Sequence, residues 1–471
     1  MAIALPRFFT RLLDTERFAA WSLILQIAAY ASYLDFGLQT AIARFVAEAI
    51  ELEQKERQEK LISTALILLS LAALIAFAII SIVIWQFPHL FGGIPFGLLP
   101  EFRHAALLLS LSACLLLPLS TYSGVLIGMH RNEIPALATG GSRIAGCVVA
   151  ILVGHFTRSL PWLALCIGGP NVLGGLLQVA AVHRMLAEGK AGLRHVSRVI
   201  GVELMRFSGG LTIWSFGMLL VSGLDVTIVG HFRFSSVGSY SIASMLISFF
   251  AGMTNAALSA LMAPLAALHA RGETRRILRV VFTATQTTLL ANLLLIAAVF
   301  LFGEAVLRFW VGPVYAESAL PILKVLAVAQ TVRLTVAPYT VMLVSVGDPE
   351  KAVPAAICEA LVNLTASITG AMFLGPIGVA WGTMVGATCG VLWIILRIMP
   401  SLGVVRVGMR ELLVEALLPG SIPCLPLAIF CLIERHVTPL IYGTGLGICV
   451  PAAALLAGRF LRQSFKQIAL V

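Results

Sequence analysis

Charged residues are scarce in this chain. Asp, Glu, Lys and Arg make up 11% of its 471 residues, whereas a soluble globular protein has about 25%. Apolar residues make up 59% and form long runs, without the short alternating segments that are typical of an outer-membrane barrel. The composition therefore predicts an all-α integral membrane protein.

Motifs of soluble catalytic sites are also missing. The sequence contains no Walker loop, no HExxH pair and no nucleophile elbow, which argues against ATP hydrolysis by this chain. Its eight cysteines lie in apolar runs at spacings that match neither a zinc site nor a disulfide framework, so we expect them to be packing residues. We therefore expect a protein that is not an enzyme and that needs no cofactor or metal.

Thirteen apolar segments are long enough to be membrane-spanning helices. They cover residues 18–47, 61–85, 104–128, 135–157, 161–183, 207–231, 236–267, 280–302, 318–346, 352–373, 375–396, 412–433 and 438–458. The connections between them are too short to hold a soluble domain.

Lys and Arg residues concentrate in alternate loops. The basic loops include residues 55–60, 184–206, 271–279 and 397–410, and the C-terminal tail is basic as well. By the positive-inside rule these loops and the C-terminus are predicted to be cytoplasmic. The net charge of +10 reflects this bias and requires no nucleic-acid partner.

The N-terminus does not fit this topology. Thirteen spans and a cytoplasmic C-terminus would place Met1 outside the cell. The stretch MAIALPRFFTRLL is typical of the end of a helix, so we expect a fourteenth, N-terminal span to be missing from this sequence. The alternative is that the first dozen residues lie at the membrane interface.

A basic loop divides the chain into two halves. Residues 186–206 are predicted to form an amphipathic helix on the cytoplasmic surface, because four apolar residues share one helical face. These residues are Leu193, Val196, Ile200 and Leu204. A weak repeat aligns FAAWSLILQ at 18–26 with VGSYSIASM at 237–245, and internal repeats are common in transporters.

Several apolar stretches carry a family resemblance. AAWSLILQIAAYASYLDFGLQTAIARFVAEA, LDVTIVGHFRFSSVGSYSIA, PYTVMLVSVGDPEKA and GPIGVAWGTMVG are similar to segments of bacterial polysaccharide exporters and O-antigen flippases. The superfamily also contains the lipid II flippase and the multidrug and toxin extrusion transporters. The resemblance implies a bacterial inner-membrane protein of the 14-helix pattern with its first helix absent.

The same resemblance implies a domain organisation. Two six-helix lobes would face each other across a central cavity, followed by an extra pair of helices. The expected divisions are an N-terminal lobe at 1–185, the amphipathic linker at 186–206, a C-terminal lobe at 207–400, and the extra pair with the cytoplasmic tail at 401–471.

Asp35 is the most unusual residue of the first predicted span. It lies near the middle of that segment, where a short charged side chain cannot reach the membrane surface. It therefore faces a hydrated cavity, or it is a packed carboxyl group that is protonated or paired. Gly37 could allow a kink beside it.

Other charges lie within predicted spans. Arg333 is deepest, while Arg143 and Arg44 are close enough to the cytoplasmic boundary that their long side chains could reach it instead. Glu359 and Asp225 are further cavity candidates, for which the alternative is a salt bridge between helices.

Together with these residues, the resemblance implies a flippase that moves polyprenyl-diphosphate-linked oligosaccharide, the repeat unit of O-antigen or exopolysaccharide, across the membrane by alternating access. Arg333, Arg143 and Arg44 would hold the diphosphate, because guanidinium binds phosphate oxygens in a bidentate way. Asp35 would couple transport to a proton or cation. Expected partners are this lipid-linked substrate and membrane lipids, with other polysaccharide-assembly proteins as candidates.

Two alternatives stay open. A cation-coupled exporter of drugs or organic cations from the same superfamily would have a cavity richer in acids and aromatics than in arginines. A membrane-bound polysaccharide polymerase or acyltransferase would carry catalytic residues on sizeable outer loops, and the loops here are short.

Overall fold

The computed structural model describes residues 3–35, 37–91, 93–185, 196–219, 223–401, 405–428, 451 and 455–458. Every regular element in these residues is helical, which confirms the predicted all-α class. Ten helices in the described chain are long and apolar enough to cross a membrane. The fold is therefore that of a multi-pass membrane protein.

The chain forms two compact units, Met1–Ser241 and Ile242–Val471. The helices that begin in unit 1 are α1 (Ala4–Leu12), α2 (Thr15–Ser32), α3 (Leu38–Glu51), α4 (Lys55–Trp85), α5 (Leu99–Gly128), α6 (Glu133–Phe156), α7 (Leu160–Met185), α8 (Arg198–Met218), α9 (Asp225–Phe232) and α10 (Val237–Ser259).

Unit 2 continues from α10 as a second series of helices. They are α11 (Met262–Ala270), α12 (Thr274–Val311), α13 (Pro313–Thr335), α14 (Ala337–Ser345), α15 (Val353–Leu374), α16 (Pro376–Ser401) and α17 (Met409–Ala428).

Three of the thirteen predicted spans are not among the ten long helices. Segment 18–47 is split into α2 and α3, because the chain forms a 3₁₀ turn at Tyr33–Asp35 and Gly37 adopts a φ of 69°. Segment 207–231 covers parts of α8 and α9, and residues 220–222 between these helices lie outside the described chain. Segment 438–458 lies largely outside the described residues.

The first helices of unit 1 pack through apolar faces. Phe9 of α1 is 1% exposed, and its ring lies edge-on to Trp21 of α2 at 5.5 Å between ring centres. Of the predicted amphipathic linker, residues 186–195 lie outside the described chain. Residues 198–206 are the first turns of α8, where Ile200 and Leu204 are buried in a core shared with α3 and α4.

Glycines bring α15 and α16 of unit 2 into close contact. Gly378, Gly382, Gly386 and Gly390 recur every fourth residue along α16 and face α15. A Cβ added at Gly386 would lie 2.6 Å from Asn363 Cβ, so the two backbones approach too closely for a side chain here. Small residues at such spacing are typical of helix packing in membranes.

The cysteines behave as the sequence predicts in the described chain. Four are buried and two are half-buried, all as free thiols: Cys114, Cys147, Cys166 and Cys424, then Cys358 and Cys389. Cys431 and Cys449 lie outside the described residues.

Candidate functional site

Three helices of unit 1 enclose a small polar cleft, called here the α5–α7 cleft. Its water-accessible volume is about 90 Å³, which is enough for several water molecules. The lining residues are Leu116 of α5, Thr139, Ser142 and Arg143 of α6, and Asn171, Gly175 and Gln178 of α7. Five of these seven residues are polar or charged, which is unusual for the inside of a membrane-spanning bundle.

Glycines of α7 allow the three helices to approach at this cleft. A Cβ at Gly174 would lie 2.8 Å from Ser142 Cβ of α6, and one at Gly175 would lie 2.7 Å from Leu119 Cδ1 of α5. These close approaches bring Ser142 beside Asn171, with 3.4 Å between the serine Oγ and Asn171 Oδ1, while the serine hydroxyl donates to the Thr139 carbonyl at 3.0 Å. The glycine pair therefore positions the polar side chains of the cleft.

Arg143 supplies the positive charge of the cleft. It follows Glu133, the first residue of α6, by ten residues, which is about 15 Å along the helix axis. Because α6 has 24 residues, Arg143 lies near the middle of this helix. Its guanidinium makes no ion pair or hydrogen bond with any described residue and is exposed.

Gln178 is the most buried polar residue of the cleft, with 5% of its surface exposed. Its amide nitrogen donates to Thr139 Oγ1 and to the Gly174 carbonyl, both at 3.4 Å. Its amide oxygen is buried and has no donor in the described chain. The cleft thus presents an unsatisfied hydrogen-bond acceptor as well as a cation.

Asp35 lies at the interruption between α2 and α3. Its carboxylate accepts a hydrogen bond from the Gly37 backbone N–H at 2.9 Å, and the side chain is half-buried. No described cation lies within ion-pair distance of it. The predicted break at Gly37 is therefore present, and Asp35 stabilises it locally.

Side chains of α2 bind the chain just before α9. Gln26 Nε2 and the Tyr30 hydroxyl donate to the Gly223 carbonyl at 2.6 and 2.8 Å, and Tyr30 is also bonded to Thr227. These hydrogen bonds connect α2 to the start of α9.

Asp225 lies in the first turn of α9 and is 7% exposed. It accepts a hydrogen bond from the Tyr240 hydroxyl of α10 at 3.1 Å between the oxygens. Asp225 is therefore part of a buried contact between two helices.

Arg333 and Glu359 form an ion pair inside unit 2. Arg333 Nε of α13 lies 2.6 Å from Glu359 Oε1 of α15, with side-chain exposures of 23% and 14%. The Gln330 amide oxygen accepts from Arg333 Nη1 at 3.2 Å, whereas Nη2 is buried without a partner in the described chain. Gly390 leaves the space that Glu359 occupies, since its added Cβ would lie 2.9 Å from Glu359 Cβ. The salt bridge weighed as the alternative for Glu359 is thus present.

Arg44 is exposed and lies over an aromatic ring. Its guanidinium carbon is 4.9 Å from the centre of the Phe207 ring of α8. Glu48, one turn along α3, pairs instead with Arg57 at 3.3 Å. Arg44 is therefore held by a cation–π contact.

The structure brings together only some of the predicted site residues. Arg333 meets Glu359, while Arg143 lies with polar residues that the sequence did not single out, Asn171 and Gln178. A signal for them exists in α7: Asn171 and Gln178 are seven residues apart on one helical face, with Gly174 and Gly175 between them. The described residues contain no group of His, Cys, Asp and Glu that could hold a metal ion.

Comparisons with known proteins identify related sequences and folds. A sequence model of the family described as "Polysaccharide biosynthesis protein" matches residues 6–268, which is more than half of the chain. No curated protein matches the chain by sequence.

Solved structures share the fold. The lipid II flippase MurJ in an inward closed conformation matches with a TM-score of 0.70 at 15% identity, over 98% of this chain and 99% of that chain. An inward-facing multidrug resistance MATE family transporter of the MOP superfamily gives 0.67 at 18% identity, over 83% and 93%. The Vibrio cholerae MATE transporter VcmN in its bent form gives 0.54 at 16% identity, over 84% and 94%. At these identities the likeness shows the fold alone.

Proposed function

The chain belongs to the polysaccharide biosynthesis protein family, and from this premise we propose that it is a flippase for polyprenyl-diphosphate-linked oligosaccharide. The sugar head group would cross the bacterial inner membrane by alternating access, with the lipid tail remaining in the bilayer. In this proposal the C-terminus is cytoplasmic, as the distribution of Lys and Arg predicts.

The α5–α7 cleft is the observation that carries this proposal. An arginine at the centre of a membrane-spanning helix costs about 2.5 kcal/mol or more unless water or an anion compensates it. Arg143 has no carboxylate partner in the described chain, and polar groups surround it. A guanidinium stays ionised and binds phosphate oxygens in a bidentate way, so Arg143 suits the diphosphate of such a substrate.

Arg333 and Arg44 remain proposed phosphate contacts. Arg333 already binds Glu359 through Nε, so a phosphate would bind the unpartnered Nη2 or displace the carboxylate. Arg44 would bind phosphate with its guanidinium over Phe207. Asp35 remains the proposed coupling residue, with Glu359 and Asp225 as further charges within the membrane.

The lining of the cleft favours this substrate over an organic cation. Its described lining contains an arginine and no carboxylate, whereas a site for cationic drugs needs acids or aromatic faces. Export of drugs or organic cations is therefore the second candidate function.

Cells that lack their own flippase provide the test. We expect the wild-type chain to restore surface polysaccharide and Arg143→Ala to abolish the restoration at an equal membrane level of protein. Arg131→Ala is the matched control, because Arg131 lies just outside the same helix and pairs with exposed Glu133. Full restoration by Arg143→Ala would contradict the assigned phosphate role.

A further inference from the structure

The unpaired amide oxygen of Gln178 needs an occupant of defined chemistry. It is a hydrogen-bond acceptor, it is buried, and it lies in the wall of the α5–α7 cleft. A buried acceptor without a donor is costly, so native structures almost always satisfy such atoms with protein, water or ligand. The cleft has room for either water or a ligand group.

The orientation of the Gln178 amide follows from its neighbours. The Gly174 carbonyl can only accept a hydrogen bond, so the amide nitrogen must be the atom that faces it. A flipped amide would place two acceptors against each other. The unsatisfied atom is therefore the oxygen, and its partner must be a donor.

Neighbouring groups extend this recognition surface. Asn171 Oδ1 lies 3.4 Å from Ser142 Oγ, and the Asn171 amide nitrogen donates to no described residue, so it offers a donor to the cleft. Thr139, which holds the Gln178 nitrogen, lies four residues before Arg143 on the same face of α6. Four residues are about 6 Å along the helix axis, which places the amide of Gln178 roughly one turn from the cation.

We propose that Gln178 accepts a hydrogen bond from a hydroxyl group of the sugar that is attached to the phosphate bound by Arg143. This inference rests on the proposed function and specifies which part of the substrate the cleft recognises. A pyranose bonded directly to phosphate places hydroxyls within one helical turn of the phosphate oxygens. Without substrate, a water molecule would donate to the same oxygen, and the sugar would displace it.

A phospholipid of the bilayer could offer similar chemistry, since phosphatidylglycerol carries a phosphate beside hydroxyls. Gln178 lies seven residues before Met185, the end of α7, which is about 10 Å along the helix axis. Position along the helix therefore does not distinguish the transported substrate from a bilayer phospholipid, and addition of phosphatidylglycerol to the binding assay distinguishes them.

Binding measurements on the full chain in phosphatidylcholine nanodiscs test the proposal. The probes are a short-chain polyprenyl diphosphate and the same lipid carrying one galactose. We expect Gln178→Leu to weaken binding of the galactose probe about tenfold and to leave binding of the sugar-free probe unchanged. Arg143→Ala should weaken both. Gln58→Leu, at a buried glutamine of α4 that does not line the cleft, should weaken neither.

A second measurement uses the wild-type protein and does not depend on the folding of a variant. The probes form a set in which each galactose has a different hydroxyl replaced by hydrogen. We expect one of them to bind about tenfold more weakly than the complete galactose probe, because a site built around a hydrogen bond rejects a ligand that lacks the bonding group. In Gln178→Leu that deoxy probe and the complete probe should bind equally.

Three results would overturn the inference. They are equal binding of all deoxy probes by the wild type, equal weakening of both lipid probes by Gln178→Leu, and loss of Gln178-dependent binding when phosphatidylglycerol is added to the nanodiscs. The last result would assign the cleft to a membrane lipid. The assay measures binding and not transport. Absence of flipping would therefore overturn the proposed function, but it would not decide whether Gln178 binds the sugar.

Discussion

Asp35 occupies the turn between α2 and α3, where it has a local partner as well as a charge. Its carboxylate accepts the Gly37 N–H, and it lies at the N-terminus of α3, where the helix dipole stabilises an anion. A carboxylate with this structural role could also couple transport to an ion. The two roles differ in what they require, because the hydrogen bond needs an oxygen and the coupling needs a titratable group.

Asparagine and alanine at position 35 separate these roles. Asp35→Asn keeps an acceptor for the Gly37 N–H, so we expect a thermal midpoint close to that of the wild type. Asp35→Ala loses the hydrogen bond and should cost about 1 to 2 kcal/mol of stability. If Asp35 couples transport, flux through Asp35→Asn loses its dependence on the ion gradient, and a flux that keeps this dependence would remove the coupling role.

The pair Arg333–Glu359 makes a separate prediction at the residue scale. Glu359→Ala leaves a half-buried guanidinium without its carboxylate inside unit 2, and we expect a cost of about 1 to 3 kcal/mol, between those of exposed and buried pairs. The double variant Arg333→Met/Glu359→Met should be more stable than Glu359→Ala, because it buries no unpaired charge. Thermal unfolding in detergent measures both, and equal midpoints for Glu359→Ala and the wild type would contradict a structural role for the pair.

Sequence reasoning found the charged residues more readily than their partners. An arginine within an apolar run is visible in a single sequence, so Arg143 and Arg333 could be singled out. Asn171 and Gln178 are uncharged, and such residues in membrane helices usually form ordinary hydrogen bonds. Their importance depends on the contacts of α7 with α5 and α6, which arise from Gly174 and Gly175 and are tertiary information.

Hydropathy predicted the long helices, and Gly37 indicated a kink within the first predicted span. Residues 18–47 form one apolar run in the sequence, and the backbone turns at Tyr33–Asp35 and passes through a positive φ at Gly37. Hydropathy measures apolarity and carries no information on backbone dihedrals, so the 3₁₀ turn itself could not be predicted from it.

The contact between α15 and α16 gives a prediction at the element scale. Gly386→Val places side-chain atoms where Asn363 already packs, so we expect a loss of about 1 to 3 kcal/mol in stability. Gly252→Val is the matched control, because that glycine of α10 has open space around it and carries the same change in helix propensity. Equal unfolding midpoints for the two variants would show that the close contact does not stabilise unit 2.

At the scale of the whole molecule, composition and loose family motifs were enough to predict the class of protein. Low charge and long apolar runs predicted a multi-pass helical membrane protein, and the family match and the shared fold agree with the resemblance. Substrate identity is not encoded in apolar helices of this kind. In the proposed function it depends on a few polar groups, Arg143, Asn171 and Gln178, which come together only in the folded unit.

Flipping by the purified protein is the measurement that tests the central claim most directly. Vesicles containing the protein and a polyprenyl diphosphate bearing one galactose are treated with galactose oxidase, which reaches only the outer leaflet. With the wild type and Arg131→Ala, we expect the oxidised fraction to rise beyond the initial outer-leaflet share, and with Arg143→Ala we expect it to stay there. Equal rates of oxidation for Arg143→Ala and the wild type would contradict the account.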